Sequence, residues 1–275
     1  MIQTPDFLEL PPRQGRPRSK GLTHVLDKGL PPAATAEFLA QAGHLVDIAK
    51  IGWGISYVDP TLTERVRLYR EAGVEVSLGG TLLEVCAAQG RVGQLRDWAL
   101  SRGISVLEVS NGLNRFNRDT KTDLIRRLSE HFSVAAEVGA KDANVPVVDA
   151  EWIADMEADL DAGARWLVTE GRESGTVGIY SGDGTVREEL ISSIADRLPI
   201  DRVIFEAPNK AQQTWFIRTV GHEVNLGNIA PEDVIPLETL RLGLRADTAL
   251  RIPGFEIPAP QMVSNVTSES ERVYP

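Results

Sequence analysis

The sequence predicts a (β/α)₈ barrel. Short β-branched apolar runs alternate with longer amphipathic stretches, there are eight of each, and glycine repeatedly closes the amphipathic stretch. The apolar runs suit strands better than helices, and strands alternating with helical crossovers form a parallel sheet. Eight such units within residues 21–250 match the size of a closed barrel, typically about 250 residues. An open doubly wound sheet would carry a glycine-rich dinucleotide fingerprint after the first strand, and none is present.

In chain order, Leu22–Leu26 is the first strand, followed by a helix over Ala33–Ala42 that Gly43 closes. Leu45–Ile51 precedes a helix over Thr61–Ala72, with Asp59-Pro60 in front and Gly73 behind. Val74–Leu78 leads to Arg91–Ser101 and Gly103, and Ser105–Val109 to Thr120–His131, capped by Asp119. Ser133–Val138 leads to Ala150–Ala162, capped by Asp149 and closed by Gly163. Trp166–Thr169 precedes Glu188–Leu198. Arg202–Phe205 precedes Ala211–Val220 and Gly221, and Val224–Leu226 precedes Pro231–Leu244. Residues 1–20, rich in Pro and Arg, read as an extended arm, and residues 251–275 as an irregular tail.

Composition narrows the function classes. With 42% hydrophobic and 25% charged residues the chain can build an ordinary core. A net charge of -10 argues against non-specific nucleic-acid binding, yet leaves room for a local basic pocket. Cys86 is the single cysteine, so no intrachain disulfide can form; it lies in a helical apolar stretch after Leu82-Leu83 and reads as a packed core thiol. No apolar run approaches the roughly 20 residues of a membrane span, and the N-terminus lacks a signal core, so no membrane is expected and the cytoplasm is. The four histidines show no metal-ligand spacing, and Gly171 to Gly178 lacks the ending of a phosphate loop.

In a barrel the chemistry sits at the C-terminal ends of the strands. There the sequence places Asp27 and Lys28, then Lys50 with Gly52-Trp53-Gly54, then Gly79-Gly80-Thr81. Glu108 and Asn111, then Glu137, Lys141 and Asp142, then Glu170, Arg172 and Glu173 follow. Glu206 and Lys210, and finally Asn225, Gly227 and Asn228, complete the ring. A charge directly after an apolar strand is costly unless paired or metal-bound, and eight such ends converge on one mouth. Carboxylates suit Mg²⁺, Lys and Arg suit phosphate or carboxylate, and glycines admit an anion close to backbone N–H groups. The set points to a small polyanion held with a metal.

Several segments are recognisable in order: Leu26-Asp27-Lys28-Gly29-Leu30-Pro31-Pro32, Lys50-Ile51-Gly52-Trp53-Gly54 and Gly79-Gly80-Thr81-Leu82-Leu83-Glu84. Glu108-Val109-Ser110-Asn111-Gly112, Glu137-Val138-Gly139-Ala140-Lys141-Asp142 and Glu170-Gly171-Arg172-Glu173-Ser174-Gly175 follow. Phe205-Glu206-Ala207-Pro208-Asn209-Lys210, Asn225-Leu226-Gly227-Asn228-Ile229 and Leu237-Glu238-Thr239-Leu240-Arg241 complete the series. Together they resemble the phosphosulfolactate synthase family, from Gly21 to Thr248. The resemblance implies addition of sulfite to C3 of phosphoenolpyruvate and of a proton to C2, with Mg²⁺ as cofactor. It implies Lys141 as the proton donor, with Lys50 and Glu206 as further catalytic candidates. Lys28, Arg172, Asn111, Asn225, Gly227 and Asn228 are the substrate-binding candidates; Glu137, Glu170 and Asp27 are the candidates for Mg²⁺. A homo-oligomer, a trimer in the family, is also implied. Ile55, Leu78 and Ala140 depart from the family pattern and leave open a different nucleophile on the same kind of substrate. The resemblance extends to plant heat-stress-associated proteins with a non-catalytic role. Retention of six charges, Lys50, Glu137, Lys141, Glu170, Arg172 and Glu206, opposes that reading.

Overall fold

The computed structural model describes residues 5, 7–113, 116–142, 145–249 and 252–253. Eight parallel strands pair in sequence order and close on themselves. They are β1 Thr23–Asp27, β2 Ile48–Ile51, β3 Glu75–Leu78, β4 Val106–Val109, β5 Ser133–Val138, β6 Trp166–Thr169, β7 Val203–Glu206 and β8 Asn225–Ile229. The helices around them are α1 Pro32–Ala42, α2 Ile55–Val58, α3 Leu62–Glu71, α4 Gly80–Ala88 and α5 Val92–Ser101. They continue with α6 Arg118–Ser129, α7 Asp149–Asp161, α8 Glu188–Arg197, α9 Lys210–Thr219 and α10 Val234–Arg241. The fold class read from the sequence is the fold observed. The predicted tail lies outside the described residues, apart from residues 252–253.

Strand side chains alternate between lumen and helix layer. Ile51, Leu78, Val109, Val138 and Phe205 join the large outer core beneath the helices. Ile48, Val106, Ala135, Val168 and Ile204 form a separate apolar cluster in the lumen. Two residues further along the same inward rows stand Lys50, Glu108, Glu137, Glu170 and Glu206, all buried. An apolar plug therefore lies under a charged layer, and the charged layer faces the C-terminal mouth.

Several elements differ from the sequence reading. The third crossover is two helices, because α4 starts directly on Gly80, where the glycine pair reads as a loop. The short α2 offers too few residues for a period. Asn117, not Asp119, is the N-cap of α6, its side chain accepting from Thr120 N at 2.8 Å, and Asp149 is the first residue inside α7. Gly73, Gly103, Gly163 and Gly221 have positive φ as expected, whereas Gly43 has φ -56° and continues into a 3₁₀ turn. Strand β8 runs past Leu226: its pairing with β1 jumps from Thr23–Leu226 to Val25–Ile229, so β8 carries an extra residue, and Asn228 there has φ 55°.

The arginine-rich arm packs on the opposite, N-terminal end of the barrel. Arg16 donates to Val46 O, Ala72 O and Gly73 O at 2.9, 2.8 and 3.2 Å. Arg18 meets Asp47, and Arg13 clamps both oxygens of Glu238 on α10 at 2.9 and 3.1 Å. Arg241, fully buried, donates to His222 O, Val224 O and Leu22 O. Cationic side chains thus satisfy the carbonyls where strands begin.

Candidate active site

Lys50 is the centre of the charged layer. Its Nζ lies 3.1 Å from Glu108 Oε2 and 2.9 Å from Glu206 Oε1. Each carboxylate uses its second oxygen on backbone: Gly80 N–H donates to Glu108 Oε1 at 2.8 Å and Gly171 N–H to Glu206 Oε2 at 2.9 Å. Gly80 is required, since a Cβ there would stand 2.2 Å from Ser110 Oγ. Burial alone would lower the Lys50 pKa, but Glu108, Glu206 and Glu137 outweigh it and hold the ammonium charged well above its ordinary range.

Lys141, in the loop after β5, stands higher in the mouth. Its Nζ lies 3.3 Å from Glu137 Oε1, 3.6 Å from Glu84 Oε1 and 3.5 Å from Thr81 Oγ1. Burial again opposes the charge, and Glu137, Glu170, Glu108 and Glu84 together raise the Lys141 pKa. Glu84 on α4 also binds Ser110 Oγ and accepts from Gly112 N at 3.2 Å and Leu113 N at 2.8 Å. It thereby fixes the loop against which the Lys141 stem rests.

Glu137 and Glu170 are buried neighbours. Glu137 Oε1 lacks a hydrogen-bond partner, facing Lys141 only as an ion pair, and Glu170 Oε2 also lacks one. Burial, then Glu137 and Glu206, push the Glu170 carboxyl well above its usual range. Its other oxygen accepts from Arg172 N at 2.8 Å. Arg172 sends its guanidinium to Lys141 O at 3.1 Å, and Lys28 pairs with Glu173 at 3.1 Å, joining the loops after β1 and β6. The cavity at the mouth is about 320 Å³. Its walls, among the described residues, carry Lys50, Lys141 and Arg172 against Glu108, Glu137, Glu170, Glu173 and Glu206.

Of the residues predicted from sequence, Lys50, Lys141, Arg172, Glu137, Glu170 and Glu206 share this cavity, and Lys28 stands at its rim through Glu173. Others are placed elsewhere. Asp27 faces outward, because it continues the parity of Val25; it binds Tyr69 and Arg65 of α3 and accepts from Gly29 N and Leu30 N. Of the three metal candidates it is therefore the one turned away from the cavity, which Glu137 and Glu170 line. Asn225 begins β8 rather than following it, and its side chain serves Leu22 N, Asp201 O and Val203 O at the N-terminal end, away from the mouth. Asn111 braces Phe116 N and O and lines a neighbouring cavity of about 420 Å³ behind β5. Gly227 faces His24 in the lumen and Asn228 sits at the bulge; neither is among the cavity-lining residues described.

Glu84, Glu108, Thr81 and Trp53 also belong to the site; the sequence places Trp53, Thr81 and Glu108 at strand ends without an individual role and leaves Glu84 out of that ring. Glu108 carried the same signal as Glu137, a charge two residues beyond a lumen apolar residue. Glu84 carried none, because helical charges usually face solvent.

No group of three or more His, Cys, Asp or Glu side chains suited to a metal occurs among the described residues. Glu170 Oε2, without a hydrogen-bond partner, and Glu137 Oε1, which meets only the Lys141 ammonium, nonetheless fit an ion that takes one or two carboxylates and completes its shell with water and substrate, as Mg²⁺ does.

Residues 11–247 match the profile of (2R)-phospho-3-sulfolactate synthase (ComA). The phosphosulfolactate synthase of Methanothermobacter thermautotrophicus is 43% identical over 249 residues, covering 88% of this chain and 96% of that protein. That of Bacillus subtilis is 40% identical over 247 residues, covering 88% and 98%. Among solved structures, the YdjI aldolase of Escherichia coli K12 aligns with TM-score 0.52 at 14% identity over 78% of this chain and 76% of that one. The 3-hexulose-6-phosphate synthase of Salmonella typhimurium aligns with TM-score 0.52 at 13% identity over 84% and 94%. The structural likeness concerns the barrel alone.

Proposed function

Because the chain belongs to the (2R)-phospho-3-sulfolactate synthase family of enzymes, we propose that it adds sulfite to phosphoenolpyruvate, giving 2-phospho-3-sulfolactate, with Mg²⁺ as cofactor. The observation that carries this reading is the pair of lysines, Lys50 and Lys141, kept charged by carboxylates around one small cavity at the barrel mouth.

The sulfur lone pair of sulfite forms a bond to C3. The C2–C3 π electrons move toward the carboxylate, which becomes an enediolate-like oxyanion. The Lys141 ammonium, partly exposed to the cavity, gives its proton to C2 and completes the addition. Lys50 lies deeper and stays paired with Glu108 and Glu206, so it serves as a fixed positive charge under the developing oxyanion. Lys28 and Arg172 at the rim are the cations suited to the phosphate and the incoming sulfite. Five carboxylates against three cations on the wall would repel a polyanion, which is the physical reason for a divalent cation. Held by Glu137 and Glu170, Mg²⁺ would supply Lewis-acid stabilisation of the carboxylate as it gains charge.

A ³¹P NMR time course with phosphoenolpyruvate, sulfite and Mg²⁺ tests the reading. A new phosphate monoester signal is expected, dependent on sulfite and abolished by EDTA. Conversion with another nucleophile and not sulfite would move the chain to a different acceptor. Unchanged phosphoenolpyruvate under every condition would leave the non-catalytic alternative.

A further inference from the structure

Three non-glycine residues among those described have left-handed backbone, Trp53 at φ 49°, Arg172 at φ 56° and Asn228 at φ 55°. All three stand at or near the C-terminal ends of strands. For a bulky aromatic residue this conformation is unfavourable, and a turn needing nothing more would take glycine. Neighbouring strand ends are shaped to admit it: a Cβ on Gly79 would lie 2.8 Å from Trp53 N, so Gly79 lets that backbone pass.

Packing does not account for the side chain. Trp152 and Trp166 are 7% and 6% exposed, whereas Trp53 is 43% exposed and lines the mouth cavity. No hydrogen bond from its indole N–H occurs among the described residues. A flat apolar body with one free donor, set on a wall whose other large side chains are mostly charged, suits a small flat conjugated anion: the ring covers one face and the N–H can meet an anionic oxygen.

From this geometry we infer that Trp53 is a positioning residue whose indole closes over the bound anion and keeps water from the reacting carbons. The inference rests on the reading of the cavity as the phosphoenolpyruvate site. Its loss should weaken substrate placement while leaving Lys141 and its partners in position.

The test compares wild type with W53F and W53G. Phosphoenolpyruvate binding is measured by calorimetry, and tryptophan accessibility by acrylamide quenching with and without saturating phosphoenolpyruvate and Mg²⁺. Phosphoenolpyruvate should protect part of the wild-type fluorescence and none of that fraction in W53F. KM for phosphoenolpyruvate should rise about tenfold in W53F, with a smaller change in kcat. W53G, freed of backbone strain, should melt no lower than wild type and show the same KM defect, which keeps the test valid even if W53F folds poorly. Calorimetric binding with unchanged quenching, or a wild-type KM in both variants, would overturn the inference and leave the substrate assignment standing. Absence of phosphoenolpyruvate binding to wild type would overturn both.

Discussion

Lys50 and Lys141 divide one problem between them. Both are ammonium groups among carboxylates, but Lys50 is locked by two short bonds, while Lys141 is held only at 3.3–3.6 Å and its side chain is 20% exposed. A proton donor must be able to leave its partners, so the loosely held lysine is the donor. Lys141→Arg separates charge from proton transfer, because a guanidinium keeps the ion pairs but does not release its proton near neutral pH. Its melting temperature and phosphoenolpyruvate affinity should stay close to wild type, while kcat falls by at least about 100-fold, measured by single-turnover ³¹P NMR. A variant of unchanged kcat would remove Lys141 from the donor role. At this scale the sequence revealed which residues were charged at strand ends, but not which way each pointed. Both faces of a barrel strand are buried and apolar, so nothing in the pattern distinguishes lumen from helix layer. For that reason the sequence alone puts Asp27 at the mouth, although it is one step out of phase with Leu26, a residue of the cavity wall.

Among the elements, α4 is the one on which the site depends and which the sequence announced least. Its first residue gives Gly80 N–H to Glu108, and its fifth, Glu84, holds Ser110, Gly112 and Leu113 while standing 3.6 Å from Lys141. One short helix therefore joins the end of β3 to the loop after β4 and to the lysine after β5. The apolar stretch from Leu82-Leu83 to Cys86 reads as helical, but the starting glycines resemble a loop and no cap marks where the helix begins. In Glu84→Ala the two backbone donors lose their buried partner. A loss of about 3 kcal/mol in urea unfolding is expected, with unchanged slope. The slackened loop should lower kcat at least about tenfold, with a smaller effect on KM. A stability loss at full kcat would make Glu84 a structural tie only. The bulge in β8 escaped the sequence for a related reason. Pairing register belongs to two strands, and Asn225-Leu226-Gly227-Asn228-Ile229 reads equally well as a strand end or as the loop beyond it.

At the scale of the molecule the barrel has two ends with separate duties. The closed eight-stranded architecture was legible because it follows from counting units. The role of the arm was not, since Arg13, Arg16 and Arg18 find their partners only when the strand starts are assembled. Leu237 to Arg241 explains itself in the same way: Glu238 and Arg241 serve the floor, on the far side from the mouth. Burial would raise the Glu238 pKa, but Arg13 outweighs it and holds the carboxyl below its ordinary range. A carboxyl depressed in the folded state stabilises the protein above its unfolded pKa of about 4.3, and that contribution is lost as pH falls through the lower folded value. Glu238→Gln should therefore cost about 2 kcal/mol near pH 7, lowering the melting temperature by roughly 5 °C, with the difference from wild type shrinking below about pH 4. Calorimetric melting across pH 3–7 measures it. KM and kcat at 25 °C should not change, because the apolar plug of Ile48, Val106, Ala135, Val168 and Ile204 separates the floor from the charged layer. A Glu238→Gln defect in KM would mean that the floor and the mouth are coupled through the lumen, and that the plug transmits strain instead of insulating the site.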